Sequence, residues 1–171
     1  MTKYIDETMR NLDKCTDFAC VFELVKRTVK ERLGMSRAGL MLGLADLPLQ
    51  VGAFHGVGGN FIVMNRKLLD QVVHSADNRR QINSYVFFIL LHEYLHALGV
   101  LGEEEVKRLS TEVCRAVLGQ NHPATQMAER GLGSIFRELR PIEHQQNTEE
   151  PRLRGFEIVK DFDRDVDRFY V

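Results

Sequence analysis

Apolar side chains recur along this chain with two different periods, and the points where the period changes mark out its elements. Phe18, Val21, Phe22, Leu24, Val25 and Val29 fall at helical spacing within residues 6–33, and Gly34 supplies a stop. Residues 39–44 form a short apolar run that fits a buried strand. Two further runs, 50–55 and 60–65, are joined by Gly56-Val57-Gly58-Gly59, a hairpin signal. Asn65 is placed to cap a short helix reaching Val73. After a polar loop the pattern predicts a helix over 82–101 and a second over 103–118, ending at Gly119. Asn121-His122-Pro123 opens a third, which closes near Leu139 before Pro141.

The middle helix carries the chemistry. Residues 86–101 are apolar on every side, as in a helix at the centre of a domain, and the strongly polar exceptions are His92, Glu93 and His96. Burying an unpartnered polar group costs roughly 2–7 kcal/mol on transfer scales, so three together demand partners. His92 and His96 stand at i and i+4, one turn apart on one face, where both imidazoles can reach one zinc ion. Glu93 beside them completes an H-E-x-x-H motif as the candidate general base. The bland alternative is a metal-free core helix whose histidines bond to carboxylates.

A catalytic zinc takes three protein ligands and keeps one position open. The metzincin pattern would put the third at residue 102, which is Gly102. The next helix offers Glu103, Glu104, Glu105 and Glu112. Its apolar stripe runs through Val106, Leu109, Val113, Ala116 and Val117, and Glu105 and Glu112 share a flank of it. An antiparallel return at about 1.5 Å per residue favours Glu112 by depth. Acidic residues in the first turn, Glu103 included, are explained by the helix dipole alone. Glu105 and His122 stay open as alternatives.

Composition narrows the function class. The 171 residues allow one domain with a real core, and a net charge of −1 gives no footprint for nucleic acid or a membrane surface. The longest apolar run is far short of the roughly 18 residues of a membrane span, and the N-terminus lacks the apolar core of a signal peptide. Cys15, Cys20 and Cys114 have no zinc-binding spacing and read as buried or free thiols, hence a cytoplasmic protein. The expected organisation is one domain over 1–142, a polar linker over 143–154 and a tail over 155–171 that docks on it. Asp161, Asp163, Asp165 and Asp167 lack the glycine and closing glutamate of a calcium loop and read as a solvated acidic face.

With His92, Glu93, His96 and a downstream helical glutamate, the chain resembles the gluzincin branch of zinc metallopeptidases. The run Glu112-Val113-Cys114-Arg115-Ala116-Val117-Leu118-Gly119 is similar to that branch's glutamate helix, with Ala116 where many members carry an aspartate. Gly58-Gly59-Asn60-Phe61-Ile62-Val63-Met64-Asn65 resembles the strand before the active-site helix in compact zincins such as minigluzincins and ImmA-type peptidases. The resemblance implies an α+β, zincin-like fold: a small, mostly antiparallel sheet on the motif helix, with further helices. It implies a peptide or protein substrate held along an edge strand, zinc on His92, His96 and Glu112, and Glu93 as base. It also implies that a segment of the same chain, here 155–171, can inhibit the site. Arg115, His122 and Tyr85 are the candidate oxyanion donors. The rival reading is a zinc-binding regulatory module of the same fold without catalysis.

Overall fold

The computed structural model describes residues 2–139 and 153–163. Helical periodicity at the N-terminus resolves into two helices, α1 (Thr2–Lys14) and α2 (Phe18–Leu33). The break is local: the Asp17 carboxylate accepts from the Cys20 amide at 2.7 Å and so caps α2. This reversal brings Cys15 and Cys20 to a Cα separation of 5.5 Å, and they form a disulfide. The expectation of free thiols is therefore corrected for this pair, and the cysteine argument for a cytoplasmic location goes with it. Cys114 is free, and burial pushes its thiol up to about 12.

The rest of the described chain runs β1 (Met41–Asp46), β2 (Ala53–His55), β3 (Phe61–Asn65), α3 (Arg66–Ser75), α4 (Arg79–Ala97), α5 (Glu103–Leu118), α6 (Pro123–Arg130), a 3-10 turn at Leu132–Ser134, and β4 (Arg154–Val159). The fold is α+β, with a mixed four-stranded sheet in the order β2-β3-β1-β4. β1 and β3 are parallel, and the two outer pairings are antiparallel. Leu42, Ile62 and Met64 are fully buried on the helix side, in one core with Phe87, Leu90 and Leu91 of α4. α4 is buried all round from Asn83 to Leu95, as its unbroken apolar sequence requires. Among the described residues no helix is long and apolar enough to cross a membrane.

The hairpin link folds β2 back on β3. Gly59 N–H donates to Gly56 O at 2.9 Å, and Gly58, with φ +77, takes the position of that turn which glycine tolerates best. β3 is therefore flanked on both sides, and the strand resembling a zincin edge is interior. The edge is β2.

Residues 153–163 dock at the opposite edge of the sheet. β4 pairs with β1 (Leu42 with Val159, Gly43 with Ile158), and the Phe156 ring occupies the space that a side chain at Gly43 would need. Phe162 stacks on Phe22 with centroids 4.2 Å apart. Asp163, expected on a solvated face, is instead buried. It accepts from Lys26 Nζ at 2.7 Å and from the Gly39 and Leu40 amides at 2.9 and 3.3 Å, which compensate its desolvation. The expected cover over the cleft spans 155–171, but its described part pairs with β1 at the edge away from β2, and Asp163 binds Lys26. Most of the expected 143–154 linker, and residues 164–171, lie outside the described residues.

Candidate metal centre

The end of α4 sets the site. Helical sequence continues to Leu98, but Gly99 stops it: with φ +98 it allows a Schellman closure, in which Gly99 N–H donates to His96 O and Val100 N–H to Leu95 O at 3.0 and 3.1 Å. The helix expected to reach residue 101 ends at Ala97. The same turn delivers the Val100 carbonyl to His96 Nδ1 at 2.8 Å. A carbonyl only accepts, so Nδ1 carries the hydrogen and Nε2 presents its lone pair.

His96 Nε2 faces two other polar groups. His96 Nε2 lies 3.2 Å from His92 Nε2 and 3.0 Å from Glu103 Oε1, while His92 Nε2 lies 3.2 Å from Glu103 Oε2. Glu103 is the first residue of α5. Four ligands arranged tetrahedrally at about 2.0–2.1 Å from zinc stand about 3.3 Å apart, so the three side chains fit such an ion with little movement. Without a metal the group is held when an imidazole Nε2 carries a proton that it donates to Glu103, and a metal ion would take the place of that proton. Of the described His, Cys, Asp and Glu residues, these three form the group able to hold a metal.

The charges of the group follow from this geometry. Burial alone would raise the Glu103 carboxyl, but hydrogen bonds and charge from His92 and His96 outweigh it and hold the group well below the usual carboxylate range. Burial works against a charged His96, yet Glu103 and Glu93 raise its pKa. Glu93, buried in α4, is raised chiefly by desolvation, with the two histidines opposing and Glu103 adding to the rise.

The structure does not bring Glu112 to the histidines. Glu112 and Glu105 lie on the exposed face of α5, where Arg108 donates to both, at 3.1 Å to Glu112 and 2.7 Å to Glu105. The depth argument fails because the chain reverses at Gly99, so that only residues 98–102 separate the end of α4 from α5. A glycine one residue past the last helical carbonyl is a readable stop, and it was the signal for Glu103. His122 is buried elsewhere, capping α6 by accepting from Ala124 N at 3.2 Å. Arg115 is exposed and engaged with Gln120 and Glu129. Tyr85 is sealed in the core. None of the three expected oxyanion donors is thereby tied to the group.

β2 borders the same corner. His55 stands opposite Ile62, whose side chain is in the helix-side core, so His55 is on that side of the edge strand. Its Nδ1 bonds to Phe61 O at 2.9 Å. Burial, outweighing that bond and aided by the charges of Arg37 and His96, lowers its pKa. Asn65 N–H donates to Gly52 O, and by antiparallel alternation the backbone groups of Ala53 and His55 turn to the outer edge. Compared with protein-family models, with curated proteins and with solved structures, the chain matches none of them.

Proposed function

We propose that this chain is a zincin-like, zinc-dependent peptidase whose metal ligands are His92, His96 and Glu103. The observation that carries the reading is the convergence of two imidazole nitrogens and a carboxylate within 3.0–3.2 Å of one another, next to a buried glutamate. The H-E-x-x-H motif with a helical glutamate downstream supports it through its resemblance to gluzincins, with Glu103 replacing the expected Glu112. Zinc supplies Lewis acidity when bound, which makes a water nucleophilic near neutral pH and polarises the scissile carbonyl.

The protein residues do the rest. Glu93, whose proton affinity burial has raised, takes the proton of the attacking water and hands it to the leaving amine. His96 is oriented by the Val100 carbonyl, which keeps Nε2 aimed at the metal. An extended peptide adds to β2 through the outward backbone groups of Ala53 and His55.

Substitution Glu93→Gln tests this reading. The variant should retain stoichiometric zinc while losing hydrolysis of unfolded casein by about 100-fold or more. Loss of zinc from the variant would make Glu93 a structural anchor. A zinc-replete wild type without turnover would favour the non-catalytic zinc-binding module.

A further inference from the structure

The segment between α2 and β1 places one arginine against both halves of the candidate site. The Arg37 backbone is fastened to α4 inside the motif: its N–H donates to the Tyr94 hydroxyl at 2.9 Å, and that hydroxyl donates back to Arg37 O at 3.3 Å. Tyr94 is fully buried, so this anchor is fixed by the core. From it the guanidinium forks. One arm donates to Ala97 O at 2.8 Å and the other to Gly59 O at 2.9 Å.

The two acceptors belong to different elements. Ala97 O is among the carbonyls that a helix C-terminus leaves without an intrahelical partner, one residue beyond His96. Gly59 O belongs to the turn joining β2 to β3. A single planar group thus sets the height of the β2–β3 hairpin above the end of the metal-binding helix. Among the described residues Arg37 forms no ion pair with a carboxylate, so these two carbonyls are the partners its fork serves. Ala97 directly follows His96 in the chain and Gly59 closes the turn that follows His55, so the fork spans from the histidine helix to the edge hairpin.

We infer that Arg37 is a positioning residue for substrate: by clamping Gly59 to Ala97 it holds the β2 edge in register with His92, His96 and Glu103. The inference rests on the proposed peptidase reading. A hairpin displaced by about 1 Å would still fold and bind metal, but it would present an extended peptide to the metal in the wrong register. Lysine offers one compact ammonium in place of the two-armed fork and holds one carbonyl at a time.

Hydrogen exchange and steady-state kinetics on the full-length, zinc-loaded protein test this together, with Arg37→Ala and the gentler Arg37→Lys. The protected amides of the hairpin, Phe54 and Gly59, should exchange at least about tenfold faster in Arg37→Ala, while those of α4 and the zinc content stay unchanged. With labelled unfolded casein as the probe, KM should rise about tenfold or more and kcat should fall much less. Arg37→Lys should lie between wild type and Arg37→Ala in both readouts. Unchanged exchange at Phe54 and Gly59 in both variants overturns the clamp. Faster exchange with kcat reduced and KM unaltered overturns the role in substrate positioning. Faster exchange in a protein whose zinc-loaded wild type never cleaves casein overturns the peptidase reading, and leaves the clamp standing.

Discussion

Glu103 Oε1 lies 3.0 Å from His96 Nε2, across a turn of five residues that ends one helix and starts the next. This contact ranks the acidic residues of α5. Glu103→Ala should weaken zinc binding by more than the roughly 10- to 100-fold typical of losing an outer-shell partner. Glu112→Ala and Glu105→Ala should leave it unchanged, because their carboxylates serve Arg108 on the exposed face. Competition with a fluorescent zinc chelator measures all three, and a loss at Glu112 with none at Glu103 contradicts the assignment.

His122 should make the fold sensitive to mild acid. Burial, reinforced by Arg80 and opposed by Asp13, pushes its imidazole down to about 4, against about 6.5 in an unfolded chain. Between these values the unfolded chain takes up a proton that the native state refuses. The neutral histidine's stabilisation is complete above about pH 6.5 and is lost as pH falls towards 4. At pH 5 the loss amounts to about 2 kcal/mol. His122→Asn preserves an acceptor for the Ala124 amide and removes the titration. Urea unfolding at pH 7 and pH 5 should show a drop smaller by that amount in the variant, and equal drops would refute the buried neutral imidazole.

Asp163 anchors the C-terminal strand, and its loss should be costly. Asp163→Ala takes a 2.7 Å partner from Lys26, which keeps its contact with Glu23, and strips an acceptor from the Gly39 and Leu40 amides. Breaking such a buried pair costs about 3 kcal/mol. Glu157→Ala, which removes an exposed partner of Arg66 at 3.4 Å, should change stability by no more than about 0.5 kcal/mol. Denaturation midpoints of the two variants check the contrast, and similar values would mean that the anchor carries no weight.

Thiol chemistry should find one cysteine, and only after unfolding. The Cys15–Cys20 pair leaves Cys114 as the free thiol, buried and raised to about 12. Native protein should resist a maleimide, and denatured, unreduced protein should take up one equivalent. Uptake of three equivalents without reductant would show that Cys15 and Cys20 are not paired.

What could be read from sequence was local. His92, Glu93 and His96 were legible because their spacing is fixed within one helix, and an apolar surround identified that helix as central. α5 was found with its bounds, since its stripe and Gly119 lie within a few turns. The place of Glu103 beside the histidines was not legible because it depends on how the chain turns at Gly99, and a dipole-friendly first turn made it look ordinary. The edge strand was misassigned because strand order is a non-local property: residues 60–65 pattern as a strand whichever neighbours flank them. Cys15 and Cys20, expected inside one helix, meet only because Asp17 breaks it. Asp163 looked solvated because its countercharge, Lys26, lies far back in the sequence.

Anomalous diffraction from zinc-soaked crystals, recorded on both sides of the zinc absorption edge, tests the central claim most directly. The account predicts one strong peak about 2.0–2.2 Å from His92 Nε2, His96 Nε2 and a Glu103 carboxylate oxygen, with a fourth position open to water. A peak ligated by Glu112 or Glu93, a fourth protein ligand closing the site, or no peak between the two histidines would contradict it.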